Sequence, residues 1–149
     1  MMLNQDYKEM LSLLLDDNVD FLLVGAYALA VYGFPRATGD IDLFIRPSPE
    51  NASKLVGVLK KFGTPLEKIS KDDFSRPGIA LQIGVAPRRI DLITKIDGLT
   101  YEEASRGKEI IEIEDLRVPV ISQKNLIVNK LATGREKDKI DARNLENSK

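Results

Sequence analysis

The chain predicts an α/β (α+β) fold: a mixed β-sheet flanked by helices and followed by C-terminal helices. Three observations carry this expectation. Segments with the two-residue hydrophobic period of strands interleave with segments of helical period along the 149 residues. Several links between the predicted strands are too short for a parallel crossover, so antiparallel pairs must enter the sheet. A chain of this length has room for one core and buries roughly two thirds of the surface its unfolded form exposes, without crosslinks. No repeat, low-complexity segment or linker divides it. Residues 1–149 are therefore read as one domain, with a core over about 20–121 and a helical segment over 122–149.

Tyr7, Met10, Leu11 and Leu14 recur at helical spacing and predict a first helix over Tyr7–Leu15, ended by Asp16-Asp17-Asn18. Phe21–Val24 is apolar on both faces, as in a central strand, and gives way at Gly25-Ala26 to a short buried helix through Tyr32. Ile41–Ile45 is the second strand, with Ile41, Leu43 and Ile45 on one face and Asp40, Asp42 and Phe44 on the other. Ser48-Pro49-Glu50 is a strong helix start, and Ala52, Leu55, Val56, Leu59 and Phe62 form the expected apolar stripe, with Gly63 as the stop. Lys71–Pro77 reads as a surface loop. Ile79, Leu81 and Ile83 alternate as a third strand, and Pro87-Arg88 turns the chain into a fourth, Arg89–Thr94. Tyr101–Gly107 is a short helix or turn, and Glu109–Ile113 pairs with Leu116–Ile121 as a hairpin across Glu114-Asp115. Ser122 caps a helix through Leu131, Gly134 breaks it, and Lys137–Leu145 forms a last, charged helix.

Composition removes whole classes of chemistry. There is no cysteine and no histidine, which excludes disulfides, zinc–thiolate or zinc–imidazole sites, Ser-His-Asp triads and imidazole acid–base catalysis. An enzyme built from this chain must use carboxylates, Lys, Arg, Tyr, hydroxyls and oxygen-bound metals. With 22 basic and 23 acidic residues the net charge is −1, which argues against a general electrostatic grip on nucleic acid or an anionic membrane. The start shows no basic region followed by a long apolar stretch, and the longest mostly apolar run, Phe21–Phe34, is too short to span a bilayer, so the protein reads as cytoplasmic with no membrane partner.

The chemistry concentrates in Thr38-Gly39-Asp40-Ile41-Asp42-Leu43. Asp40 and Asp42 are two apart on a strand, so their carboxylates leave the same face and repel unless a cation or a proton intervenes. Magnesium takes oxygen ligands and binds through one or two carboxylates plus substrate phosphates, so Asp-x-Asp is a fitting bed for a metal–nucleotide. Alone, the pattern is weak evidence and reads first as a solvated strand end. Asp91 adds a third acid inside an apolar strand, where acids are disfavoured. Two readings stand open for it: an edge-strand acid paired with Arg36, Arg88 or Arg89, or a third ligand on an adjacent strand. The second completes a site for two Mg²⁺ or Mn²⁺ ions about 3.5–4 Å apart. At Val24-Gly25-Ala26 small residues let backbone N–H groups approach a phosphate, or simply make a tight strand–helix turn. The 13 residues that separate Ala26 from Asp40 suffice for a short helix and a return.

These residues resemble the nucleotidyltransferase superfamily, the fold of DNA polymerase beta: an apolar residue, Gly and a small residue, then Asp-x-Asp between apolar neighbours. Here the signature reads Val24-Gly25-Ala26 and Gly39-Asp40-Ile41-Asp42-Leu43, with Asp91 in the place of the third carboxylate. The pattern from Tyr32-Gly33 through Arg36 and Thr38 to Asp40 is similar to the branch of AbiEii-type toxin nucleotidyltransferases. So is the stretch Leu126-Ile127, Lys130-Leu131, Gly134-Arg135, Lys137-Asp138, Asp141 and Leu145. The resemblance implies catalytic and metal-binding roles for Asp40, Asp42 and Asp91. It also implies nucleotide binding by Gly25, Ala26, Arg36, Thr38 and Lys130, with Arg135, Asp138 and Asp141 in support. Arg36 holds phosphate or braces Asp40, and Asp138 and Asp141 either orient Lys130 or belong to a solvated charged helix in which Lys137 pairs with Asp141. The expected reaction is metal-dependent transfer of a nucleotidyl group from an NTP to a hydroxyl of RNA, protein or a small molecule, in one setting as half of a toxin–antitoxin pair. The alternative is a catalytically silent partner protein of the same fold, favoured by Ala26 in place of Gly or Ser and by the lack of an appended acceptor domain.

Overall fold

Several helices in this protein start where a short polar side chain accepts from the first free N–H groups. In the computed structural model, which describes residues 3–35, 39–67 and 69–148, Asn4 caps α1 (Gln5–Asp16) and Ser48 caps α3 (Pro49–Phe62). Thr100 and Glu103 form a reciprocal capping box on α4 (Tyr101–Ser105), and Ser122 caps α5 (Gln123–Ala132). Gly63 ends α3 in the left-handed conformation, φ 92°. α2 (Gly25–Val31) and α6 (Glu136–Asn147) have no side-chain cap.

Six strands complete the fold: β1 (Phe21–Val24), β2 (Ile41–Ile45), β3 (Ala80–Ile83), β4 (Ile90–Ile93), β5 (Glu109–Ile113) and β6 (Leu116–Val120). They form one sheet in the order β3-β4-β2-β1-β6-β5. β1–β2, β3–β4 and β5–β6 run antiparallel, while β2–β4 and β1–β6 run parallel, the mixed sheet that the short connections demand. β1 is buried along its whole length, as its unbroken apolar run requires. Glu114 and Asp115 make the β5–β6 turn with positive φ at both, the conformation that suits two-residue hairpins. α1 and α3 pack on each other, and α5 packs on α6. Among the described residues no helix is long and apolar enough to cross a membrane.

The structure departs from the sequence expectation at three places. The buried side of α3 is Asn51, Ala52, Leu55, Val58 and Leu59; Val56 is only partly covered. Asn51 is inside because its amide accepts from the Asp20 N–H (2.7 Å) and donates to the carbonyls of Asp20 (2.9 Å) and Arg46 (3.0 Å). A polar side chain so matched to free backbone groups carries no hydrophobic signal. Within Lys71–Pro77, Asp73–Ser75 is a turn of 3₁₀-helix that buries Phe74 to 1% exposure. The last helix, charged in sequence, buries Asp138, Asp141, Ala142 and Leu145.

The register places the polar residues. Val24 pairs with Asp42, Asp42 with Asp91, and Asp91 with Gln82, a single row across β1, β2, β4 and β3. Tyr7, fully buried on α1, fixes the entries to both acid-bearing strands: its hydroxyl donates to the carbonyl of Gly39 and to that of Arg89 (3.2 Å). Burial pushes its phenol up to about 12, so it stays a donor.

Candidate active site

Asp42 and Asp91 stand side by side on parallel strands, and Asp40 sits one residue before β2. Because the side-chain period is two, Arg89 leaves the chain on the same side as Asp91 and folds back on it. Its Nε donates to Asp91 Oδ1 at 2.7 Å and its Nη2 to Oδ2 at 3.0 Å; Nη2 also lies 3.5 Å from Asp40 Oδ2. The Arg89 backbone N–H donates to Asp40 Oδ1 at 3.1 Å. Asp91 is 8% exposed and belongs to an interior strand, so it is not an edge acid, although the ion pair with Arg89 that the edge reading named is present.

The carboxylates crowd one another. The Asp42 carboxyl is pushed up to about 7, first by burial, then by a hydrogen bond with Asp91 and the negative charges of Asp91 and Asp40; Arg89 works in the opposite direction. Excess negative charge and oxygen-only donors are what a divalent-cation site requires of its residues, so Asp40, Asp42 and Asp91 fit Mg²⁺ or Mn²⁺. Among the described residues, however, no three acidic side chains already stand as a formed cation cage. Arg89 pairs with Asp91 and approaches Asp40.

Gly25 follows β1 directly and opens α2 with φ +68°. A Cβ at Gly25 would overlap the Asp42 carboxylate, lying 3.0 Å from its Cγ. The glycine is thus required by the acid as well as by the turn, a constraint that sequence spacing does not display. Gly25 and Ala26 form one wall of a cleft of about 700 Å³, with Asp40, Asp42 and Asp91 along it, within the range of about 300–1,000 Å³ typical of small-molecule sites.

Lys130, Arg135 and Asp138 line the same cleft from α5, α6 and the link between them. Asp138 is completely buried. It accepts from Thr133 Oγ1 (2.7 Å), Arg135 Nε (2.7 Å) and Lys130 Nζ (3.2 Å), and Asp141 lies 3.4 Å from the same ammonium. Burial works against the charge on Asp138, but the hydrogen bonds from Thr133, Lys130 and Arg135 outweigh it and hold the carboxyl below the usual range. α6 is therefore anchored through its acids rather than solvated along them. Replacing Asp138 with alanine leaves the Lys130 ammonium to Asp141 alone among its two acids and removes the buried acceptor that Thr133 and Arg135 share across the α5–α6 junction. The expected cost is about 3 kcal/mol or more, a fall in Tm of roughly 10 °C on thermal melting. A fall of less than 2–3 °C would mean the network is not holding the helices together.

The structure thus gathers Gly25, Ala26, Asp40, Asp42, Asp91, Lys130, Arg135 and Asp138 around one cleft, with Asp141 behind Lys130. Arg36 and Thr38 lie outside the described residues. Three further cleft residues, Arg89, Lys95 and Asn129, are absent from the set expected to act. The two-residue step from Arg89 to Asp91 was a usable signal. Lys95, beyond the end of β4, and Asn129, whose amide donates to the Asp97 carbonyl at 2.9 Å, gave none.

Comparison with known proteins bears on this arrangement. No curated protein matches the sequence. Among solved structures, a provisionally assigned nucleotidyltransferase (TM1012) from Thermotoga maritima superposes with a TM-score of 0.65 at 16% identity, covering 99% of this chain and 97% of that one. The antibiotic-resistance factor ANT(2'')-Ia gives 0.64 at 17% identity over 96% of this chain and 82% of that one. The lincosamide antibiotic adenylyltransferase LnuA, lincomycin-bound, gives 0.55 at 15% identity over 98% of each chain. At such identities these likenesses establish the fold alone. A family model described as "Nucleotidyltransferase of unknown function (DUF6036)" matches residues 1–148, nearly the whole chain, and the protein belongs to that nucleotidyltransferase family.

Proposed function

We propose that this protein transfers a nucleotidyl group from an NTP to a hydroxyl of an acceptor in a reaction that depends on Mg²⁺ or Mn²⁺. The observation that carries this reading is the row of Asp42 and Asp91, with Asp40 beside it, lining the same cleft as Lys130 and Arg135. Asp40, Asp42 and Asp91 would hold the ions, which when bound neutralise the triphosphate and the leaving pyrophosphate and activate the attacking hydroxyl. The chain's own contribution is positioning and fixed charge. Lys130, steadied by Asp138 and Asp141, offers its ammonium to the phosphates. Gly25 and Ala26 let the backbone come close to them, and Arg135 and Lys95 add positive charge around the cleft. A small-molecule hydroxyl is the acceptor class supported by fold neighbours that act on antibiotics, one of them captured with adenylyl-2''-tobramycin. RNA and protein hydroxyls are the other classes, and a role in a toxin–antitoxin pair is supported by the sequence resemblance.

The test is calorimetric titration of each NTP in Mn²⁺, wild type against Lys130→Ala. Wild type is expected to bind, and the variant to bind roughly ten- to a hundredfold more weakly, as for loss of one well-placed phosphate cation. Pyrophosphate should then appear when acceptor pools are supplied. Absence of any metal-dependent NTP binding by the wild type would sink the proposal. One observation favours the second reading, a silent partner protein: Arg89 already satisfies Asp91 and reaches Asp40, so the acids are held without a metal. Under that reading Mn²⁺ leaves nucleotide binding unchanged.

A further inference from the structure

A guanidinium and a divalent cation seek the same carboxylate oxygens. Arg89 uses both oxygens of Asp91 and approaches one of Asp40, so in this structure it stands between acids that the proposed function assigns to metal. Its backbone is fixed at three points: the N–H on Asp40 Oδ1 (3.1 Å), and the carbonyl accepting from the Ile41 N–H (3.0 Å) and the Tyr7 hydroxyl (3.2 Å). Its side chain is 30% exposed and opens on the cleft. The anchor is therefore rigid while the guanidinium has room to turn. Its planar fork matches a phosphate as well as it matches a carboxylate.

We propose that Arg89 is an exchangeable counterion: it holds Asp91 and Asp40 while the cleft lacks nucleotide, and transfers to the triphosphate when metal and nucleotide enter. This rests on the metal-dependent reading above and adds a consequence to it. Metal alone must displace the guanidinium and leave it without an anion, so it binds weakly. Metal with nucleotide gives the displaced guanidinium a new partner, so the two ligands bind cooperatively, by a linkage that acts equally in both directions. Arg89 is a positioning residue before binding and a phosphate-contacting one after it.

The experiment is titration of Mn²⁺, with the free ion followed by electron paramagnetic resonance, on wild type, Arg89→Gln and Arg89→Lys, with and without a non-hydrolysable NTP analogue. Glutamine keeps one donor for Asp91 without the charge, and lysine keeps the charge without the fork, so a folding defect in either leaves the other to read. Arg89→Gln is expected to bind Mn²⁺ alone roughly fivefold more tightly than wild type, and to lose most of the tightening that the analogue confers. Arg89→Lys is expected to fall between the two for Mn²⁺ alone and to recover only part of the cooperativity. Equal Mn²⁺ affinity in all three proteins, with the analogue tightening each alike, would overturn the counterion role and leave the metal site standing. Failure of every form to bind Mn²⁺, with or without the analogue, would overturn the metal-dependent reading and this inference with it.

Discussion

Asp42→Asn is expected to abolish nucleotidyl transfer and metal-dependent NTP binding while raising the thermal stability of the metal-free protein. Both effects arise from the same crowding. Asp42 stands beside Asp91 on the neighbouring strand, so its loss would remove one of the three carboxylates proposed to hold the ions, and a fall in rate of roughly a thousandfold or more follows from the several kcal/mol that metal electrostatics supply. The stability effect has a defined pH window. The Asp42 carboxyl is raised to about 7 in the folded chain from 3.8, chiefly by burial and by Asp91. The folded state therefore retains a proton that the unfolded chain has already released. Stability falls as pH rises from about 4 through 7, and the penalty is complete above that. Asparagine escapes it. In chelator, the variant should melt about 5–10 °C above wild type at pH 8, and at the same temperature near pH 4. A melting difference that does not vary with pH would show that the acids are not electrostatically coupled, and an unchanged transfer rate would remove Asp42 from the reaction.

Gly25→Ala is expected to abolish nucleotide binding too, but with the opposite sign on stability. Two costs combine at this position. With φ at +68°, an alanine pays about 1–2 kcal/mol for the left-handed conformation. Its Cβ would also overlap the Asp42 carboxylate, which has Asp91 on one side and β1 on the other and cannot retreat within the row. The acid or the β1–α2 turn must move, and either shift deforms the proposed metal and phosphate positions together. A fall in Tm of roughly 5–10 °C, measured by circular dichroism, with loss of calorimetric NTP binding in Mn²⁺, is the expected outcome. The pair of variants separates chemistry from packing: one loses function and gains stability, the other loses both. Retention of wild-type binding by Gly25→Ala would mean that the turn does not shape the nucleotide site.

Much of the architecture was legible because local rules and tertiary demands agree in this chain. Ser48-Pro49 with Gly63 marks both ends of α3, the unbroken run Phe21–Val24 identifies a strand buried on both faces, and Glu114-Asp115 marks a hairpin turn. Legibility failed where a polar group is buried because polar partners surround it in the fold. Asn51 is interior because Asp20 and Arg46 present free backbone groups to it, and Asp138 is interior because Lys130, Thr133 and Arg135 surround it. A hydrophobic pattern reads Asn51 as solvent-facing and the last helix as a charged surface, since it records the residue and not its partners.

The sequence by itself determined the chemical vocabulary and the pieces of the site. Without His or Cys, any catalysis must run on carboxylates, Lys, Arg, Tyr, hydroxyls and oxygen-bound metal, and the two-residue step fixed that Asp40 and Asp42 share a face. Only the tertiary structure decided that Asp91 would stand beside Asp42, because register between strands 49 residues apart depends on how the whole sheet pairs. It also decided that Arg89 would neutralise Asp91 and reach Asp40, and that the α5–α6 pair would bring Lys130 to the same cleft. Electrostatic interactions depend on separation in space, and separation in space is what a linear reading of charges leaves open.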